Sequence, residues 1–264
     1  MQNEEKIKKI QELHPIDDVF FEALASDPHF DEELLRIILD DGKLVVQSVI
    51  VQSDLKNLYG RSVRLDALCT LGNGVKCNIE VQRSDNDDHI RRVRYNASMI
   101  TVKDSETREH FSEIPEVYVV YISKFDVFDK GLTAYHIEKT IRETKDVIDD
   151  GLHEIFVNTI VNDGSDLAAL MECFNQTRIT NEKFPWFKKA VDYLKDTEGG
   201  RESMCKIMDD YAKEYAKDVA IDTAIDTAMQ FNATTEQIVE VLCDKYGLTK
   251  EDALERIHNF KKTA

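Results

Sequence analysis

Two acidic residues, Asp66 and Glu80, flank a short turn, Gly72-Asn73-Gly74. Before the turn, Val63, Leu65, Ala67, Cys69 and Leu71 sit at every second position. After it, Val75, Cys77, Ile79 and Val81 do the same. A period of two predicts a β-hairpin with one apolar face on each strand. Directly opposed residues of an antiparallel pair point to the same side. Matching the two apolar faces across the loop 72–74 sets Leu71 opposite Val75. The same register sets Asp66 opposite Glu80 and Arg64 opposite Gln82. Opposed Cβ atoms lie about 5 Å apart, where two carboxylates repel. Two readings are open. A divalent cation between the carboxylates removes the repulsion, and oxygen ligands suit Mg²⁺ or Mn²⁺. Alternatively, Arg64 or a neighbouring lysine neutralises the pair on a solvated face.

The densest basic stretch follows directly, with Arg83, Arg91, Arg92 and Arg94. On a helix Arg91 and Arg94 share a face. They would contact backbone phosphates, or else form surface ion pairs with Asp85, Asp87 and Asp88. Tyr95 reads as a core aromatic or a base-stacking group. Trp186 reads as a packing anchor.

These residues must be positioned by a folded body. The chain has 264 residues, of which 42% are hydrophobic and 32% charged, which excludes global disorder. Its formal charge of −17 excludes a generic nucleic-acid coat, so any DNA contact must use a local basic patch or bound cations. Met1–Ile10 is charged and lacks the apolar stretch of a signal peptide, and no run is long enough to cross a bilayer. The five cysteines form no C-x-x-C pair and read as reduced thiols of a cytoplasmic protein. No P-loop, H-E-x-x-H or G-x-S-x-G motif is present.

The elements follow from the periodicities. Residues 17–39 read as two helices broken at Asp27-Pro28-His29. Val45–Val51, Ser62–Leu71 and Val75–Gln82 read as three strands, Ile90–Val102 as a helix, and Val117–Ile122 as a strand buried on both faces. A second hairpin is expected from Tyr135–Ile141 and Glu154–Ile160 around Asp149-Asp150-Gly151. After Ser165 the chain reads as helical. A helix from about Ser203 carries the repeat Ala220–Thr227, whose Ile221 and Ile225 need a partner surface, and two helices split at Gly247 follow. Acidic Glu251, Asp252 and Glu255 argue against a DNA-reading role for the last pair. The class is α/β: a core of helix, three-strand antiparallel meander, helix and strand, then a hairpin and a mostly helical C-terminal half.

Arg64-Leu65-Asp66 followed by Asn78-Ile79-Glu80-Val81-Gln82 resembles the D…(D/E)-x-K core of PD-(D/E)XK nucleases. More closely it resembles the nuclease family transposases, related to the recombination-promoting nuclease group, where Gln commonly takes the lysine position. Pro15-Ile16-Asp17-Asp18-Val19-Phe20-Phe21 is similar to the start of that family's first helix. Arg91-Arg92-Val93-Arg94-Tyr95 is similar to its helix after the hairpin, and Val117–Phe128 to the next strand. Glu22 departs from the pattern, standing where the family often has lysine. The resemblance implies a restriction-endonuclease-like core in residues 1–163 and metal-dependent hydrolysis of DNA. It implies that Asp66, Glu80 and the Val81 carbonyl hold Mg or Mn. Gln82 would position the attacking water, Asp18 would assist through water, and Arg83, Arg91, Arg92 and Arg94 would contact DNA. Residues 164–264 are expected to serve packing or to form a homo-oligomer, with no membrane contact.

Overall fold

The computed structural model describes residues 2–55, 62–85, 88–105 and 110–263, which fall into two compact units. The first comprises residues 1–55 and 63–205; the second comprises 56–62 and 206–264. Elements follow in the order α1 (Gln2–Glu12), α2 (Asp18–Leu24), α3 (Pro28–Ile38), β1 (Val46–Leu55), β2 (Val63–Leu71), β3 (Lys76–Gln82), α4 (His89–Asp104) and β4 (Val117–Ser123). Then come β5 (Ala134–Ile137), β6 (Lys139–Thr140), β7 (Val147–Ile148), β8 (Leu152–Asn158), α5 (Asp166–Cys173), α6 (Pro185–Asp196), α7 (Glu198–Gln230), α8 (Thr235–Tyr246) and α9 (Lys250–Thr263).

The first unit is built on a six-stranded sheet in the order β1-β2-β3-β4-β8-β5. Strands β1 to β3 form the expected antiparallel meander, and α4 carries the chain over to β4, which runs parallel to β3. The break between α2 and α3 falls where proline dictates: Asp27 caps α3 by accepting from the His29 N–H, and Pro28 opens the helix. Phe20, Phe21, Phe30, Leu34 and Leu35 are fully buried, and Phe30 meets Phe187 of α6 at 4.8 Å between ring centres. Each such side chain contributes about 1.5–3 kcal/mol by leaving water. On the other face of the sheet, Val93, Ala97 and Ile100 of α4 pack with Leu68, Val119 and Tyr121. Both faces of the sheet are therefore covered.

Two expectations are corrected. β5 and β8 do pair, but Asp149-Asp150-Gly151 is not their turn. An inner ribbon, β6 with β7, prolongs the hairpin, and its chain reversal lies between Ile141 and Asp146. Gly151, at φ +78°, serves as the kink before β8. The long helix begins at Glu198, not Ser203. The partner surface that Ile221 and Ile225 need lies inside the second unit, in Ile238, Leu242, Ala253 and Ile257 of α8 and α9. Gly247, left-handed at φ +69°, closes α8, and Thr249 accepts from the Asp252 N–H to start α9. Among the described residues no helix is long and apolar enough to cross a membrane.

Candidate metal and nucleic-acid site

The site lies where the sheet forks. The β2–β3 ladder runs from the turn to Ala67↔Ile79 in the register set by the alternation, and stops one step before Asp66 and Glu80. Beyond that point β2 continues with β1, as in Arg64↔Asp54, and β3 continues with β4, as in Glu80↔Tyr121. Side chains replace the missing ladder. The Val81 N–H donates to the Asp66 carboxylate at 2.9 Å, and the Asp66 N–H reaches Glu80 Oε1 at 3.4 Å. The two carboxyl groups thus meet at the fork, each tied to the backbone of the opposite strand.

The solvated-face reading fails here. Glu80 is only 1% exposed because α4 covers this side of the sheet. Arg64 turns to Asp54, with Nε 2.9 Å from Oδ1. The cation beside Glu80 is Arg92, whose guanidinium lies 3.7 Å from Glu80 Oε2 and donates to Gln82 Oε1 at 3.1 Å. Asn78, also buried, donates to Glu80 Oε1 at 2.9 Å. Burial raises the pKa of Glu80; the Asn78 bond, the charge of Arg92, the Asp66 N–H and the Asn96 side chain work against it, in that order. Asp66 is raised well above the usual carboxylate range, first by burial and then by the charge of Glu80; the Val81 N–H opposes this.

Asp18 opens α2. It is exposed, yet its charge reaches Asp66 and adds to the upward shift there. Its own pKa is raised by desolvation and by Asp17, and lowered in part by Arg92 and Arg83. Arg83 does not project freely: it donates to Asp17 at 2.6 Å and ties the end of β3 to the start of α2. Gln82 donates to the Ser84 carbonyl at 2.8 Å. Arg91 is exposed and paired with Asp88 at 3.2 Å, and Arg94 is exposed. Thus Asp18, Asp66, Glu80, Val81, Gln82 and Arg92 gather at the fork, whereas Arg91 and Arg94 lie on the outer face of α4. Of the expected acidic partners, Asp88 meets Arg91, Asp85 bonds His89, and Asp87 lies outside the described residues. Tyr95 is half-buried. Trp186 stacks on His29 at 4.4 Å between rings but stays exposed, so it is a surface contact rather than a buried anchor.

Several site residues escape a reading of the sequence by motif. Asn78 shares the face of Glu80 two residues on, so strand alternation alone could have flagged it. His89 bonds Tyr121 Oη at 2.7 Å and Asp85 at 2.9 Å. The Asp85–His89 spacing of four is a helical signal, but its partner Tyr121 is visible only once β4 lies beside β3.

The donor set fits a hard divalent cation. Both carboxyl groups offer oxygen, and buried Glu80 Oε2 has no hydrogen-bond partner among the described residues. Protein carboxylates alone do not complete a cage: among the described residues no group of three or more His, Cys, Asp or Glu could hold a metal ion.

A family model, PD-(D/E)XK nuclease family transposase, matches residues 32–163. The chain belongs to this family. The match contains Asp66, Glu80, Gln82 and the four arginines, and leaves Asp18 outside. No curated protein and no solved structure matches the chain. Membership points to nuclease-like function on a DNA substrate, in a family whose enzymes typically use divalent metals.

Proposed function

We propose that the protein is a metal-dependent DNA endonuclease acting in transposition or recombination. The observation that carries this reading is the forked sheet that brings Asp66 to Glu80 and leaves a buried carboxylate oxygen without a hydrogen-bond partner among the described residues. Asp66, Glu80 and the Val81 carbonyl would hold Mg or Mn. The bound ion would supply Lewis acidity toward a phosphate oxygen and make water more acidic. The chain does the rest. The Gln82 amide orients the attacking water, having both a donor and an acceptor to offer. Asp18, at the mouth of the fork, holds a further water. Arg94 and, once free of their carboxylate partners, Arg83, Arg91 and Arg92 bind backbone phosphates. Their charge is local, which reconciles DNA contact with a net charge of −17. Residues 1–163 carry the chemistry in this reading, and residues 164–264 serve packing and self-association, in a cytoplasmic protein. The test is cleavage of supercoiled plasmid with Mg²⁺, Mn²⁺ or EDTA. Nicking or linearisation with metal, and none with EDTA or in Asp66→Ala, is the expected result. No cleavage with either metal turns the reading to a catalytically inert DNA- or protein-binding relic of the fold. Gln82, in place of the charged lysine, is the residue that favours that alternative.

A further inference from the structure

Arg92 holds a position that its helix neighbours do not. Arg91 and Arg94 face outward, but Arg92 points into the fork, and its side chain is only 35% exposed. Its two terminal nitrogens are divided between Glu80 and Gln82. Its charge acts on all three acidic groups of the site, lowering the pKa of Asp18, Asp66 and Glu80. The contact with Glu80 is nevertheless incomplete. At 3.7 Å the guanidinium offsets the charge of Oε2 without hydrogen-bonding it, and no hydrogen bond to that oxygen is made among the described residues. A counterion that neutralises an oxygen without bonding it is poorly matched to that oxygen. A small cation that coordinates it directly is better matched.

We infer that Arg92 is an internal counterion, standing in for the divalent cation at Glu80 and released toward substrate phosphate when that cation enters. The inference rests on the proposed function and assigns that site a coupling device. Two cations cannot share one carboxylate oxygen at short range without strong repulsion. Arg92 is the mobile one, on a long side chain anchored in α4 beside the basic face formed by Arg91 and Arg94. Turned outward, its planar fork of donors suits a phosphate group better than a lysine would. Metal entry then creates a phosphate contact, and bound DNA in turn keeps Arg92 away from Glu80. By linkage each ligand tightens the other by the same factor.

The test measures Mn²⁺ binding to the full-length protein by electron paramagnetic resonance at about pH 8, where proton competition for the carboxyls is reduced. Arg92→Ala should bind Mn²⁺ roughly tenfold more tightly than the wild type. Arg92→Gln keeps a polar side chain for Gln82 and should show the same gain if Arg92→Ala folds poorly. Lys103→Ala removes the same charge from the far end of α4 and should leave Mn²⁺ affinity unchanged. In parallel, affinity for a phosphorothioate-linked duplex is measured by fluorescence anisotropy with Mn²⁺ and with EDTA. Mn²⁺ should raise wild-type affinity by about tenfold and that of Arg92→Ala by less than about twofold. If the wild type binds Mn²⁺ and neither Arg92 variant binds it more tightly, the counterion role is overturned and the metal site stands. If no variant binds Mn²⁺ at millimolar concentration, the metal reading falls and takes this inference with it.

Discussion

Two carboxyl groups are buried on opposite sides of the same sheet, and they differ in every other respect. Glu80 lies under α4 with Asn78, Arg92 and the Asp66 backbone around it. Asp31, in α3, is completely buried near Cys69 and Cys77, and neither of its oxygens has a hydrogen-bond partner among the described residues. Burial raises both pKa values, and for Asp31 nothing opposes it; the charge of Asp27 adds to the rise. Burial thus favours the protonated form of Asp31, and it pushes the neighbouring Cys69 and Cys77 thiols up as well. A shifted pKa alone does not mark a working site. What distinguishes Glu80 is convergence: the Asp66 backbone and Asn78 meet one of its oxygens, and Arg92, itself bonded to the Gln82 amide, stands at the other.

The largest expected effect breaks this comparison at the fork. Asp66→Ala or Glu80→Ala should lower metal-dependent plasmid cleavage on the order of 10³-fold or more, the loss expected when Lewis-acid stabilisation of several kcal/mol is removed. Asp31→Asn should leave the cleavage rate within about twofold, since no atom of Asp31 is part of the fork. Equal losses in the two variants would show that burial, not convergence, was being measured.

Gln82 sharpens the same contrast. Gln82→Ala should retain Mn²⁺ binding while cleavage falls by about 10²-fold, the usual contribution of a positioned proton-transfer or water-orienting group. Gln82→Lys should remain active. Loss of Mn²⁺ binding in Gln82→Ala would move this residue from water positioning to ligation.

The hairpin was legible because its two determinants are local. Alternation fixed the apolar faces, and Gly74, at φ +86°, supplies the left-handed step that a Gly-Asn-Gly loop allows. Together they set the observed Cys69↔Cys77 and Ala67↔Ile79 pairs. The burial of Glu80 was not legible, because it depends on α4 closing over a strand face that reads as polar. Arg92 was read as a surface cation for a related reason: Val93, Ala97 and Ile100 define the buried stripe, and Arg92 sits at its margin, where only the packing angle decides its direction. Asp149-Asp150-Gly151 misled because its turn chemistry is genuine but is spent on a kink. Lys139 faces Ile148, whereas continuing the outer ladder would have set it against Leu152.

A smaller effect concerns Asp31 and pH. Its pKa is raised on folding, so the folded state binds the extra proton. Stability is fully present below the unfolded value near 4 and declines as pH rises toward the folded value. Asp31→Asn removes that dependence. It should therefore be more stable than the wild type by about 1 kcal/mol at pH 8, with the gain vanishing near pH 4, as read by urea denaturation. A gain independent of pH would mean that Asp31 is not the titrating group.

The smallest effect lies at the fork without metal, and its sign is set by the same linkage. Asp66 and Glu80 both have raised pKa values, Asp66 partly through the charge of Glu80, so ionising the pair costs folded-state stability as pH rises from below 4. Asp66→Asn removes one charge and keeps the side-chain oxygen that accepts from the Val81 N–H. In EDTA at neutral pH this variant should melt a few degrees higher than the wild type, about 1 kcal/mol for a unit of this size. Added Mn²⁺ should reverse the order. A ligand that binds only the folded state stabilises by RT ln(1 + [L]/Kd), and that gain belongs to the wild type alone. Asp31→Asn, by contrast, should show the full wild-type shift with Mn²⁺. A wild-type melting point that does not move at millimolar Mn²⁺ would refute the metal site, and an Asp66→Asn variant that melts lower in EDTA would show that the Val81 bond, not carboxylate repulsion, dominates at the fork.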